Sequence, residues 1–292
     1  MAENYLSLDA AIRDIFGSCR TIQTKRGISG GDINEAYLVR LDDGTELFMK
    51  SNSSRFLPCF HAEKDGLEAI RVTGAIGVPA VLGLGADADH SFLLLEYISG
   101  GKPIKGFWET FAAELAAMHR ADVGWKYGFP QDNWIGSGKQ INTMQVSWIS
   151  FFRDCRLKPQ LDRASRYFSQ KEWKQADYLL SHLDQYLPEP ARPSLLHGDL
   201  WAGNMITGND GKGWLIDPAV YYGHPEADLA MTELFGGFSG SFYAAYRQIT
   251  KLDPGYKDRR DLYNLYHLLN HLNLFGGGYL GSVQRVLDRY AR

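Results

Sequence analysis

The hydrophobic pattern of this 292-residue chain changes near Ile98, and this change limits the fold more than any other feature. Before it, short apolar runs of strand length alternate with polar turns such as Asp42-Asp43-Gly44; beyond it, longer runs with helical spacing dominate. Residues 99–103 (Ser-Gly-Gly-Lys-Pro) contain three small residues and a proline, the composition of a linker. We therefore predict an α+β fold, with a small antiparallel-sheet domain over residues 1–98 and a larger, mostly helical domain over residues 99–292.

Composition excludes several classes of protein. The net charge of −3 gives no electrostatic reason to expect nucleic acid or an anionic membrane as a partner. The longest apolar run, residues 92–95, is far too short to cross a bilayer, and the N-terminus has no signal-peptide pattern. Cys19, Cys59 and Cys155 are too widely spaced to indicate a zinc site or a disulfide framework. We expect a cytoplasmic protein, most simply a monomer, without a membrane or nucleic-acid partner.

The densest polar chemistry lies in residues 195–204, where an apolar strand runs into His197-Gly198-Asp199 and Asn204 follows five positions after the aspartate. Catalytic loops of kinases use this spacing, because the aspartate accepts the proton of the acceptor hydroxyl and the asparagine reaches a metal ion. We predict that Asp199 is the catalytic base and that Asn204 binds Mg²⁺. We expect His197 to hold the loop backbone in place.

A second apolar strand ends in Asp217, thirteen residues past Asn204. A kinase has its second magnesium ligand at such a position, but Pro218 stands where a protein kinase has phenylalanine. This difference favours a small-molecule kinase. Taken singly, a His-Gly-Asp triplet or an aspartate at a strand end is an ordinary loop or capping residue. In this order and at these spacings, they indicate phosphoryl transfer from ATP.

Lys50 closes a strand-like run in the first domain, and Glu63 lies on the helix predicted after it. In a kinase the corresponding lysine contacts the ATP phosphates and pairs with a helix glutamate. An exposed strand lysine and a solvated helix glutamate are the ordinary alternative. With the downstream motifs present, we assign both residues to ATP binding.

Two further segments are candidates for nucleotide contacts. Gly30 and Gly31 lie in a glycine-rich loop whose backbone N–H groups could approach phosphates, although a plain hairpin loop explains the glycines nearly as well. The run that ends at Glu96 and Ile98 precedes the predicted linker, so its backbone groups are candidates for binding adenine. A buried edge strand is equally compatible with that run.

On these residues the chain resembles the fructosamine kinase (ketosamine-3-kinase) family, relatives of aminoglycoside phosphotransferases and choline kinases. The resemblance spans nearly the whole chain. Tryptophan directly after His-Gly-Asp-Leu separates this family from aminoglycoside kinases. The segments that carry the resemblance are residues 30–37, 63–67, 127–129, 132–136, 197–204 and 217–228.

The resemblance implies a protein-kinase-like, two-lobed fold and ATP- and Mg²⁺-dependent phosphorylation of the sugar 3-hydroxyl of a ketoamine, as in protein deglycation. The substrate would be a small ketoamine or a glycated lysine. Trp201 would form an apolar wall for the substrate, with a core tryptophan as the alternative. Asp228 would brace the catalytic loop. His271 would line the sugar pocket, unless it is a packed helix histidine.

Two other functions remain open at this point. A kinase of an aminoglycoside or of choline would need an acidic pocket for a cationic substrate, for which Glu226 and Asp132 are the nearby candidates. A pseudokinase that binds ATP without turnover would be expected to have lost one of the phosphoryl-transfer residues, and all of them are present. A hydrolase is disfavoured because no GxSxG nucleophile motif occurs.

Overall fold

The protein is described by a computed structural model over residues 4–28 and 33–291. The chain divides into two compact units, the first extending past residue 98 and including a hairpin from later in the sequence. The first unit is Met1–Phe107 with Met205–Pro218, and the second is Trp108–Asn204 with Ala219–Arg292. The nucleotide-binding role predicted for residues 1–98 and the catalytic role predicted for residues 99–292 stay predictions.

The secondary structure alternates between strands and helices in the first third of the chain and is mainly helical afterwards. In chain order the elements are β1 (Asn4–Tyr5), α1 (Leu8–Phe16), β2 (Ile22–Ile28), β3 (Glu35–Leu41), β4 (Glu46–Ser53), α2 (Leu57–Val72), β5 (Val81–Ala86), β6 (His90–Glu96), α3 (Phe107–His119), β7 (Asn133–Ile135) and β8 (Gly138–Gln140). These are followed by α4 (Trp148–Phe151), a π-helical segment (Phe152–Leu157), α5 (Lys158–Arg163), α6 (Gln170–Ser181), β9 (Ser194–Leu196), β10 (Met205–Thr207), β11 (Gly213–Leu215), β12 (Tyr221–Gly223), α7 (Pro225–Leu234), α8 (Gly240–Thr250), α9 (Tyr256–Phe275) and α10 (Leu280–Tyr290).

The first unit is built on a six-stranded sheet in the order β1-β5-β6-β4-β3-β2. Neighbouring strands are antiparallel except β1 and β5, which run parallel. The predicted hairpin turn joins β3 to β4, with Gly44 at a φ of 87° that a side chain would disfavour. The helix predicted between the strands is α2. The small sheet is therefore antiparallel as predicted, apart from the short β1 pair.

The core of the first unit forms where α1 packs on the sheet. Ser7 caps α1 by accepting a hydrogen bond from the Ala10 N–H group at 3.1 Å, which fixes where the helix begins. Ile12 on its inner face shares a buried cluster with Val39 and Leu94, each no more than 1% exposed. Burial of such side chains contributes about 1.5–3 kcal/mol each to folding.

The segment predicted as a linker is anchored within the first unit. The Gly101 N–H group donates to the Thr207 carbonyl at 2.9 Å, and the Ile104 N–H group donates to the Gly211 carbonyl at 3.1 Å. A Cβ atom at Gly101 would lie 2.1 Å from the Gly208 carbonyl oxygen, so only glycine allows this close approach. Small residues are present here because the backbone packs against the β10–β11 hairpin.

The core of the second unit is rich in aromatic side chains. The Trp148 ring lies 5.2 Å from the Phe152 ring and 6.2 Å from the Tyr263 ring on α9. The π-helical segment joins α4 to α5, so the helical turns continue from Trp148 to Arg163 with a change of pitch in the middle. Arg156 in that segment is fully buried and stacks 3.9 Å from the centre of the Tyr221 ring. Segments of this kind are frequent at functional sites.

The short β9–β12 pair brings two distant parts of the chain together in the second unit. Leu196 pairs with Tyr221 in antiparallel register, and the Ala219 N–H group donates to the His197 carbonyl at 2.8 Å. This pairing sets the loop that begins at His197 beside Ala219.

No helix in residues 4–28 and 33–291 combines the length and apolar character that crossing a membrane would require.

We predict that Leu94→Ala lowers the free energy of unfolding by about 3 kcal/mol, because it leaves a cavity in a fully buried strand. Leu6→Ala is the matched control, since Leu6 is 83% exposed, and it should change stability by less than about 0.5 kcal/mol. Urea denaturation of the two variants measures both values. Equal effects would contradict the assignment of Leu94 to the core.

Candidate active site

The first unit holds a buried ion-paired cluster around Lys50. Lys50 lies in β4, paired with Ala36 on one side and Leu93 on the other, and its side chain is 9% exposed. Its Nζ atom lies 2.7 Å from Oε1 of Glu63 on α2 and forms a short ion pair with Asp217. Lys50 is therefore a buried lysine held between two carboxylates, and the alternative of an exposed strand lysine does not apply.

These carboxylates determine the charge state of Lys50. Burial alone would lower the pKa of the lysine, because it removes the ammonium group from water. The charges of Asp217 and Glu63 outweigh burial and raise the pKa above its ordinary value. Lys50 is consequently a cation at neutral pH, the charge state that a residue predicted to contact phosphate would need.

Asp217 has an unusual backbone conformation. It follows β11 by two residues and has a φ of 55°, in the left-handed region that a non-glycine residue rarely adopts. Its side chain is 42% exposed. Strained residues of this kind cluster at functional sites, where the surrounding structure holds them. The conformation directs a partly exposed carboxylate at the Lys50 side chain.

The second unit holds the Asp199–Asn204 pair. The Asn204 side-chain amide donates to the Asp199 carbonyl at 2.8 Å and to the Asp199 carboxylate Oδ2 at 3.0 Å. Gly198 precedes the aspartate with a φ of 82°, and a Cβ atom there would lie 2.0 Å from the Ala219 carbonyl oxygen. The His-Gly-Asp sequence therefore requires glycine at its centre for the loop to turn. Asp199 is left partly exposed, with its orientation set by Asn204.

Asp228 lies beneath this loop at the N-terminal end of α7. Its carboxylate is 2% exposed and accepts hydrogen bonds from the His197 N–H group at 2.7 Å and the Gly198 N–H group at 2.9 Å. His119 on α3 lies 3.2 Å from the same carboxylate through Nε2. Burial acts to raise the pKa of Asp228, but the hydrogen bonds and the nearby histidines outweigh it and lower the pKa. The carboxylate is therefore ionised.

His197 is fully buried. Its Nδ1 atom accepts a hydrogen bond from the Asp199 N–H group at 3.3 Å, and its own N–H group is one of those bound by Asp228. The role expected for His197, holding the loop backbone, is consistent with these contacts and stays a prediction.

Trp201 and His271 lie in the second unit and are linked through a third ring. Trp201 is 38% exposed, so it is not a core tryptophan. Its ring centre lies 6.3 Å from that of Phe235, which lies 4.8 Å from that of His271. His271 also contacts Phe275 at 5.4 Å and Tyr279 at 5.1 Å. The two residues predicted to bind substrate thus belong to one set of aromatic contacts.

Four more residues were predicted to bind ATP: Glu96, Ile98, Gly30 and Gly31. Glu96 ends β6; its N–H group donates to the Ala80 carbonyl at 2.9 Å, and its carboxylate accepts from the Ala80 N–H group at 3.1 Å. Ile98 follows the strand and is half-buried. Gly30 and Gly31 lie outside the described residues. These four assignments to ATP binding stay predictions.

The acidic residues considered for a cationic substrate are engaged elsewhere. Glu226 is fully buried and forms two hydrogen bonds with Arg259, at 2.6 and 2.8 Å. Asp132 accepts from the Asn142 N–H group at 2.8 Å and lies 3.2 Å from Lys139. Both carboxylates are therefore occupied by structural contacts.

Sequence reasoning missed several residues of the site. Three of them lie on separate elements, and no local pattern in the sequence predicts their place in the site: His119, Phe235 and Tyr279. Phe275 could have been found, because it follows His271 by four residues on one helix and so shares its face.

Comparison with known proteins gives a consistent result. A family model described as fructosamine kinase matches residues 6–292. A probable ketoamine kinase of Synechocystis is 41% identical over 272 residues, covering 93% of this chain and 91% of that protein. A chloroplastic protein-ribulosamine 3-kinase of Oryza sativa subsp. indica is 38% identical over 280 residues, covering 94% and 81%.

Solved structures of similar fold include members of the same family. The crystal structure of a putative fructosamine-3-kinase from Haemophilus somnus superposes with a TM-score of 0.87 at 32% identity, covering 98% of this chain and 97% of that one. Solved aminoglycoside and macrolide phosphotransferases share the fold at much lower identity, and this likeness concerns the fold alone. The predicted α+β, two-lobed, protein-kinase-like fold is confirmed.

We predict that Asp228→Asn lowers the free energy of unfolding by about 3 kcal/mol at pH 7, because it turns one acceptor oxygen into a donor facing buried N–H groups. The folded-state pKa of Asp228 lies below its unfolded value of about 3.9. Its contribution is therefore present above pH 4 and lost as pH falls through the folded-state pKa. Urea denaturation from pH 7 to pH 3 measures the difference between variant and wild type, which should shrink at the acid end.

Asp89→Asn provides the control for that experiment, because Asp89 is exposed in the turn before β6. It should alter stability by less than about 0.5 kcal/mol at every pH. A difference for Asp228→Asn that stays constant with pH would contradict the ionised, hydrogen-bonded carboxylate described here.

Proposed function

Since the chain belongs to the fructosamine kinase family, we propose that it transfers the γ-phosphoryl group of ATP to the 3-hydroxyl of the sugar in a ketoamine. The observation that carries the proposal is the Asp199–Asn204 pair. The carboxylate of Asp199 is partly exposed, lies two residues before Trp201 and is oriented by the side-chain amide of Asn204. The names of the relatives support the ketoamine as acceptor. Phosphorylation would destabilise the glycation adduct, so the biological role of this reaction would be protein repair.

Asp199 acts as the general base. Its carboxylate accepts the proton of the sugar hydroxyl as the hydroxyl oxygen attacks the γ-phosphorus, and the bond from that phosphorus to the bridging oxygen breaks to release ADP. The hydrogen bond from Asn204 to Oδ2 keeps the carboxylate in one orientation. This positioning matters because phosphoryl transfer depends mainly on alignment and on charge neutralisation.

Lys50 supplies positive charge to the phosphates. Its charge is secured by Glu63 and Asp217, and Glu63 also restricts the side chain to one direction. Adenine would be bound by backbone groups at Glu96 and Ile98.

Each unit on its own offers an oxygen atom that suits a divalent metal. In the second unit, Asn204 donates its amide N–H₂ group to Asp199, which leaves its carbonyl oxygen as a candidate ligand; in the first unit, Asp217 offers a partly exposed carboxylate. Hard oxygen ligands of this kind suit Mg²⁺. When bound, the ion would neutralise charge on the β- and γ-phosphates.

The alternative acceptors are disfavoured by the acidic residues of the second unit. A polycationic aminoglycoside needs several free carboxylates, and Glu226 is neutralised by Arg259 while Asp132 is held by Lys139.

A pseudokinase is disfavoured because Lys50 and the other phosphoryl-transfer residues are retained.

The experiment that tests this function measures ATP consumption with magnesium against ribulosamine and fructosamine adducts of lysine, with kanamycin and choline alongside. Turnover is expected on a ketoamine only. Turnover on kanamycin or choline with none on ketoamines would overturn the substrate and keep the reaction class.

We predict that Asp199→Asn lowers kcat on the preferred ketoamine by about 10²–10⁴-fold, because the base is lost. The Kd for ATP should change less than about threefold, since Asp199 acts on the acceptor hydroxyl. Steady-state kinetics and calorimetric ATP titration measure the two quantities. A variant that kept its kcat and lost ATP affinity would contradict the assignment.

A further inference from the structure

Five polar side chains form a buried hydrogen-bond network in the second unit, here called the amide network: Asn133, Gln140, Asn142, Arg156 and Tyr266. They come from the β7–β8 hairpin, the segment after it, the π-helical segment and α9. None of the five residues is more than 4% exposed. Hydrogen-bonded polar networks in a low-dielectric interior make the structure around them rigid. The amide network is therefore a rigid part of the second unit.

Arg156 sets the direction of the hydrogen bonds in this network, because a guanidinium group can only donate. Its Nη2 atom donates to Oδ1 of Asn142 at 2.8 Å. This contact turns the amide nitrogen of Asn142 the other way, where it donates to Oδ1 of Asn133 at 2.9 Å. Oδ1 of Asn133 is thus an acceptor, which leaves the amide nitrogen of Asn133 to donate to the Val220 carbonyl at 2.8 Å.

Gln140 on β8 is oriented from two sides. The Tyr266 hydroxyl donates to its Oε1 atom at 2.6 Å, and burial raises the pKa of Tyr266 to about 12, so the hydroxyl keeps its proton. The amide nitrogen of Gln140 donates to Oδ1 of Asn133 at 2.7 Å and to the Ala219 carbonyl at 3.0 Å. The network therefore ends on the carbonyl groups of two successive residues, Ala219 and Val220.

The backbone of Ala219 is the surface on which the catalytic loop turns. Its N–H group donates to the His197 carbonyl at 2.8 Å. Its carbonyl oxygen would lie 2.0 Å from a Cβ atom on Gly198, so the two backbones are as close as glycine allows. Because Gly198 directly precedes Asp199, a shift of the Ala219 carbonyl would move the aspartate. A displacement of about 1 Å at a reacting group can cost on the order of 10²-fold in rate.

We propose that Gln140 is a positioning residue for phosphoryl transfer, which holds the Ala219 carbonyl and thereby the Gly198 turn that presents Asp199. The inference rests on the proposed function, because it takes Asp199 as the base. The role is distinct from that of Asp228. Asp228 binds the N–H groups of the loop itself, whereas Gln140 acts on the backbone segment that packs against the loop.

The test replaces Gln140 with methionine, which keeps the length of the side chain and removes its N–H donors. Gln140→Met should lower kcat on the preferred ketoamine roughly tenfold, because the base is displaced. The KM values for ATP and for the ketoamine should change less than about twofold. A role in stability alone would lower the folded fraction, measured by thermal unfolding, and leave kcat per folded molecule unchanged.

A second measurement needs no substrate. The Ala219 amide should exchange its hydrogen roughly tenfold faster in Gln140→Met than in the wild type, as followed by NMR, because its carbonyl is no longer held. Tyr266→Phe is a milder variant, which keeps the ring and removes only the hydroxyl that orients Gln140. It should lower kcat about threefold with the same KM values.

Gln145→Met is the matched control, since it makes the same chemical change in the same unit at a side chain whose amide donates to Sγ of Cys155 at 3.7 Å. It should change kcat and Ala219 exchange less than about twofold. A wild-type enzyme inactive on every ketoamine would overturn the proposed function. An active wild type in which Gln140→Met keeps its kcat, or loses kcat with Ala219 exchange unchanged, would overturn the role of Gln140 and leave the proposed function standing.

Discussion

The catalytic loop depends on one buried carboxylate. Asp228 accepts the backbone N–H groups of His197 and Gly198, which are buried and would otherwise cost about 1–3 kcal/mol each as unsatisfied donors. The turn through Gly198 is possible because this carboxylate binds both groups at once. Asp199 follows the turn, and Asn204 then orients its side chain. The loop that presents Asp199, the proposed catalytic base, is therefore held by an ionised group that is itself buried.

The first unit likewise depends on buried charges, those of Lys50 and its two carboxylate partners. Lys50 is buried in a central strand, where an unpaired ammonium group would be costly, and its partners come from α2 and from a segment 167 residues further along the chain. The ion pair with Asp217 therefore joins the sheet to the segment that follows β11, and it fixes the side chain proposed to contact phosphate. The ion-paired cluster depends on the tertiary structure of the first unit, since neither carboxylate reaches Lys50 through local structure alone.

Much of this arrangement could be predicted, because phosphoryl transfer needs particular residue types at fixed spacings from apolar strands. The predicted elements are those that carry the ion-paired cluster: Lys50 lies on a strand, Glu63 on the helix after it, and Asp217 just after another strand. The backbone contacts of residues 99–103 could not be predicted, since glycine serves both flexible connections and close backbone packing. Phe235 could not be found, because its contact with Trp201 depends on how the loop after β9 packs against the end of α7 rather than on local pattern.

We propose that the first unit binds the metal–nucleotide complex through Lys50 and Asp217, and that Asp199 in the second unit acts on the acceptor. Calorimetric titration of Asp217→Asn with ATP, with and without magnesium, tests it most directly. We expect magnesium to strengthen ATP binding to the wild type at least tenfold more than to the variant, a difference of about 1.4 kcal/mol. An equal magnesium effect in both proteins would show that Asp217 has no part in holding the ion.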